Sequence, residues 1–267
     1  MTEVWVLSAA ESAGYGWYEA SAQMTPLAAD LSDPPGWDMV LPALKGEAPA
    51  LALGTAPDGY IAAVSGLLSQ RTRGQRPVRE TFVFLTRDTV GLTPVVRGFL
   101  IAALLMGENP DMAAALGLLS AAVLDPAGTD RLLRLDPGGF RRSLTVFEEI
   151  SSACPQGKVP PVGQGIHRDS ATARRQVISM LDDDVASAAV PGTLLLAVTT
   201  RHPKDLSSAR VVLTSHPAAA VLLDQAADSE QRESSDDAED LVAELLRRVM
   251  SLLRLAARQV QRHLPGR

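Results

Sequence analysis

Four arginines, Arg71, Arg73, Arg76 and Arg79, fall within nine residues, with Arg87 close behind, in a chain of net charge −6. A guanidinium is a planar fork of donors that matches a carboxylate or phosphate two bonds at a time. The cluster is therefore a candidate ligand-binding patch, either for a phosphate-bearing ligand or for an acidic protein surface. The same charges also suit a solvated hairpin whose arginines keep an edge strand from pairing with other chains. No aromatic residue is interleaved in 70–79, which argues against stacking on single-stranded bases.

Nucleophilic chemistry rests on Cys154, the only cysteine, and on four histidines, His167, His202, His216 and His263. A thiolate needs a base beside it, so Cys154 with His167 is the candidate catalytic pair. A cysteine next to Pro155 equally suits an inert packing position. Ser65, in Ala63-Val64-Ser65-Gly66-Leu67, lacks both glycines of a nucleophile elbow. Gly157-Lys158 is followed by Val159 and has no upstream glycine, so it is not a Walker loop. Gly163-Gln164-Gly165-Ile166-His167-Arg168 begins like a dinucleotide fingerprint but carries Arg168 where the third glycine belongs. What remains is a Gly-rich turn into the next helix, a candidate anion site with His167 and Arg168 beside it. Asp182, Asp183 and Asp184 would point in different directions on a helix, and no pair of histidines has metal-ligand spacing, so neither a metal nor a cofactor is expected.

The elements that must carry these residues change character along the chain. Short apolar runs at 4–7, 16–20, 50–53, 60–68 and 81–85, separated by turn residues, predict an antiparallel meander, with the Arg-rich segment 70–79 joining the last two. Leu- and Ala-rich stretches at 92–106 and 111–124, broken by Asn109-Pro110, predict two packed helices. Asp136-Pro137-Gly138-Gly139 is expected to end a third helical segment, and the Pro- and Gly-rich stretch 155–165 to connect two halves. A helix at 170–186 and strands at 193–199 and 210–214 give the second half an α/β pattern. Residues 224–240 hold eight acidic residues against one arginine and read as a linker. Beyond it, Val242, Leu246, Val249, Leu253 and Val260 recur at spacings of three, four and seven, the stripe of one amphipathic helix over 241–267. The expected organisation is thus an α+β fold of residues 1–154, an α/β portion at 155–223 in the same or a second small domain, the acidic linker and the terminal helix.

At 267 residues, nearly half of them apolar, the chain can bury a sizeable core. The acidic balance argues against nucleic acid as a partner of the protein as a whole. The single cysteine fits a reducing compartment, and no stretch reaches the roughly 20 apolar residues of a membrane span, the most apolar run being interrupted by Arg97. A cytoplasmic location is expected. Only three of the 25 basic residues are lysine, as expected of a GC-rich bacterial genome.

An opening strand with aromatic residues, the stretch from Ser65-Gly66-Leu67-Leu68 through Arg73-Gly74-Gln75-Arg76-Pro77-Val78-Arg79-Glu80-Thr81-Phe82, and the helices that follow resemble the N-terminal modules of bacterial GTPase-associated and related conflict-system proteins. The resemblance covers about residues 1–106 and transfers no catalytic residue. It implies a part in bacterial signalling or phage-defence assemblies as a sensor or adaptor. The chain is accordingly expected to be a non-catalytic interaction component of a bacterial regulatory or antiviral defence assembly, binding a protein partner through the terminal helix or the Arg cluster. The alternative is a Cys–His hydrolase, or a nucleotide- or phosphate-binding enzyme or sensor.

Overall fold

Alternation decides which way each strand faces. Val4 and Val6 lie in one apolar cluster and Trp5 in another; Ala62 and Val64 join the first, Ile61 and Ala63 the second; Phe82 and Phe84 divide from Val83 and Leu85 in the same way. Both faces of the sheet are therefore covered, which is why its central strands read as near-continuous apolar runs.

The computed structural model describes residues 2–9, 15–20, 33–44, 49–56, 59–73, 75–87, 91–124, 133–154, 165–181, 192–199 and 220–223. The linker at 224–240, the helix expected over 241–267 with Val242, Leu246, Val249, Leu253 and Val260, and the strand expected at 210–214 lie outside them. All described residues belong to the compact unit Met1–Asp224.

The strands are β1 (Thr2–Ala9), β2 (Tyr15–Ala20), β3 (Ala50–Ala56), β4 (Gly59–Arg73), β5 (Arg76–Thr86), β6 (Val123–Leu124), β7 (Arg134–Leu135), β8 (Gly165–Arg168), β9 (Leu194–Thr199) and β10 (Ala220–Leu223). The helices are α1 (Trp37–Val40), followed by a 3-10 turn Leu41–Ala43, then α2 (Pro94–Leu105), α3 (Pro110–Ala121), α4 (Pro137–Ala153) and α5 (Ala171–Met180). The fold is mixed α+β. One eight-stranded sheet runs β2-β1-β5-β4-β3-β9-β10-β8, and β6 and β7 form a separate two-stranded ladder. The pairs from β2 to β9 are antiparallel, and β10 lies parallel to both β9 and β8. Strands of the second half thus extend the sheet of the first.

On one face α1 and the 3-10 turn cover the smaller cluster, where Trp17 meets Trp37 edge to face at 4.8 Å and its indole Nε1 donates to Asp33 at 2.7 Å. The larger cluster lies under α2 to α5, centred on Phe84 of β5, Phe99 of α2 and Phe147 of α4, with ring centroids 4.4 to 6.4 Å apart. Arg97, inside the apolar α2, reaches α4 and donates to the Ser151 carbonyl at 2.5 Å and hydroxyl at 3.1 Å.

Three expectations need correction. Asp136-Pro137-Gly138-Gly139 begins a helix rather than ending one: the Asp136 carboxylate accepts from the N–H groups of Gly138 and Gly139, each at 3.0 Å, and Pro137 occupies the first helical position. The Asp-Pro pair, an N-cap followed by a residue that needs no N–H partner, outweighs the two glycines. The stretch 165–168 is strand β8, so its backbone pairs with β10 instead of forming only a turn. The Arg-rich segment is itself strand on both sides, with Arg73 facing Arg76 across the hairpin end.

Candidate functional site

The hairpin of β4 and β5 is longer than its neighbours. Pairing of β3 with β4 stops at Ala50 and Ser65, and pairing of β1 with β5 stops at Leu7 and Thr81. Beyond those points the two strands continue as an arm, pairing Leu67 with Glu80, Leu68 with Arg79, Thr72 with Pro77 and Arg73 with Arg76. The register slips between Val64 and Leu67, where Gly66 has φ 75° in the left-handed region, and again between Leu68 and Thr72.

This bulge reverses which residues face inward. Below it Ala62 and Val64 point to the helix layer; above it Leu67, Ser69 and Arg71 do, while Leu68 and Gln70 are exposed. Gly66→Val should cost about 1 to 2 kcal/mol, the penalty of a side chain in this conformation, and should loosen the arm first. Faster amide exchange at 67–80 than in the sheet below would show it; uniform exchange with unchanged stability would refute it.

The inward parity places Arg71 beside Glu80, whose side chain is fully buried. Glu80 Oε1 accepts from Arg71 Nη2 at 2.6 Å and from Ser8 at 3.2 Å, and Oε2 accepts from the Ser120 hydroxyl. Arg71 also donates to Ser8 Oγ at 2.5 Å and to the Ala9 carbonyl at 3.1 Å. Strands β1, β4 and β5 and helix α3 therefore meet at one carboxylate. A buried charge is tolerable only when paired and hydrogen-bonded in this way.

Between the arm and α3 lies a cleft of about 530 Å³, walled by Leu67, Leu68, Met106, Ala113, Leu116 and Gly117. Its polar side chains are Ser120, already donating to Glu80, and Arg79. The Arg79 guanidinium approaches the Gly66 carbonyl at 3.4 Å, and its backbone N–H donates to the Tyr15 hydroxyl at 3.1 Å. A smaller cavity of about 260 Å³ adjoins, sharing Pro49, Met106 and Gly107, and ends at the Asp169–Arg174 ion pair, 2.6 Å long. Arg174 also donates to the Leu104 carbonyl at the end of α2, at 2.7 Å.

No family model, curated protein or solved structure matches this chain.

The four clustered arginines separate into three environments. Arg71 turns inward to Glu80; Arg73 and Arg76 are exposed at the hairpin end; Arg79 lines the cleft. Arg87, outside the arm, pairs with Glu3 at 2.7 Å. Cys154 is half-buried at the C-terminal cap of α4 and His167 lies on β8, and no hydrogen bond joins them. Among the described residues, no group of three or more His, Cys, Asp or Glu side chains converges as a metal-binding set. None of the described helices is long and apolar enough to cross a membrane.

Glu80, Ser8, Ser120, Leu68 and Gly117 went unnoticed in the sequence. For Glu80 a signal existed: it stands two residues before Phe82 and four before Phe84, both inward, so period-two alternation already places it inside.

Proposed function

We propose that the protein is a non-catalytic interaction component of a bacterial regulatory or antiviral defence assembly, acting in the cytoplasm, with the outer side of α3 and the tip of the arm as its contact surface. The observation that carries this is the surface of α3. That helix is apolar on nearly every side, yet only Ala115, Leu116, Leu119 and Ser120 are buried; Ala114, Gly117 and Ala121 are exposed, and Leu118 is 45 % exposed. Helices of such composition are ordinarily covered, and an apolar surface rimmed by charge is the usual mark of a protein contact. Among the described residues Arg73 and Arg76 have no acidic partner, and both are exposed and supply charge at the arm's end. The resemblance of about residues 1–106 to conflict-system modules supports the same reading.

Affinity purification of the tagged full-length chain from its native host, after cross-linking in the cell, tests it. A defined partner should accompany the wild-type protein in fixed proportion. It should be lost from a variant combining Leu118→Asp, Arg73→Ala and Arg76→Ala, whose exposed positions leave the melting temperature unchanged. Recovery of the monomer alone, or a partner retained by the variant, would overturn the proposal.

A further inference from the structure

We propose that the cleft beneath the arm is a binding site for a small amphipathic monocarboxylate, with its apolar body against Leu67, Met106 and Leu116 and its carboxylate on the Arg79 guanidinium. The inference goes beyond the partner reading, because it concerns a small molecule and is measured on the purified chain alone.

Three observations converge. The cleft's volume, about 530 Å³, lies within the range of about 300 to 1,000 Å³ common to small-molecule sites, and its walls are mostly apolar with a few polar groups. Arg79 is half-buried, yet among the described residues it has no carboxylate partner, only the Gly66 carbonyl at 3.4 Å. Other arginines drawn into the fold are engaged more closely: Arg71 with Glu80 at 2.6 Å, Arg97 with Ser151 at 2.5 Å and Arg174 with Asp169 at 2.6 Å.

The charge of the ligand follows from what remains available. Glu80 neutralises Arg71, and the Ser120 hydroxyl donates its hydrogen bond to Glu80. One guanidinium is left for the ligand, and its fork satisfies one carboxylate through two parallel bonds. A phosphate dianion would keep a second charge unmatched beside an apolar wall. An uncharged tail would leave the guanidinium without a counterpart.

Decanoate serves as the probe, with decanol and decyl phosphate as comparisons, read by calorimetry and by thermal shift. Saturable binding of one decanoate per chain is expected, with decanol weaker by about tenfold or more, the loss that accompanies one missing charge-assisted bond, and decyl phosphate weaker by about tenfold or more because its second charge stays unmatched beside the apolar wall. Arg79→Gln should weaken decanoate by a similar factor. Gly117→Leu supplies an independent check, since a Cβ at Gly117 meets nothing within 4 Å and the added side chain extends into the cleft. That variant should fold and lose decanoate binding. The proposal is overturned by absence of saturable binding to the wild type, by decanol or decyl phosphate binding as tightly as decanoate, or by wild-type affinity in either variant.

Discussion

Glu80→Ala should cost about 3 to 5 kcal/mol of stability, the range for removing one partner of a buried charge pair. The loss has a specific origin. Glu80 is inaccessible to solvent and receives Arg71, Ser8 and Ser120 together. Without it the Arg71 guanidinium, only 15 % exposed, keeps its charge without that counter-ion, and two hydroxyls lose their acceptor. Removing both charges should behave differently. A variant with Arg71→Met and Glu80→Leu presents apolar groups of similar bulk and should recover most of the loss, because a buried pair contributes little net stability over a well-packed apolar substitute. Urea denaturation of wild type, single and double variants measures both effects. A single-variant loss below about 1 kcal/mol would mean that water reaches the joint, and the carboxylate would then not be what holds the arm to α3.

The joint also shows why the Arg cluster was only partly legible. Residue types and spacing revealed a concentration of guanidinium groups, but not which would face inward. Straight alternation from Val64 would put Gly66, Leu68 and Gln70 on the helix side. The bulge at Gly66 moves the chain by one residue and places Leu67, Ser69 and Arg71 there instead. The shift at Gly66 thus exposes Leu68 and turns Arg71 inward, and the second irregularity, between Leu68 and Thr72, keeps that parity. A Ser-Gly pair inside a strand hints at a bulge but does not specify how the register resolves.

Other elements divide along the same line between local and non-local causes. Strands β1, β2, β3 and β5 were readable from apolar runs flanked by turn residues, and α2 and α3 from composition with Thr93-Pro94 and Asn109-Pro110 at their starts. Strands β8 and β10 have four residues each and pair in parallel with distant segments. So short a strand carries no period of its own, and its existence depends on neighbours supplied by the fold. The cleft belongs to this second kind: Leu68 comes from the arm, Met106 from the end of α2 and Gly117 from α3.

The same substitution at two helical glycines should have opposite effects. Gly98→Ala in α2 is expected to destabilise the fold by about 3 kcal/mol or more, at the upper end for overpacking. A Cβ at Gly98 would lie 1.8 Å from the Phe147 carbonyl oxygen and 2.9 Å from its Cα. These are backbone atoms of α4, so no rotamer change relieves the overlap and the helices must separate. Separation would disturb Phe99 and Phe147, whose rings are 5.6 Å apart in the core. Against this stands the helical preference of alanine over glycine, worth about 0.8 to 1 kcal/mol; it is smaller than the overlap penalty and does not change the sign. At Gly117 in α3 there is no overlap, because nothing lies within 4 Å of the added atom. Gly117→Ala should therefore gain the propensity term and stabilise the protein by about 0.5 to 1 kcal/mol. Denaturant midpoints for the two variants would test the packing directly. If both moved in the same direction, either α2 and α4 would not be in backbone contact at Gly98 or the outer side of α3 would not be open at Gly117, and in the second case the proposed ligand cleft would be lost as well.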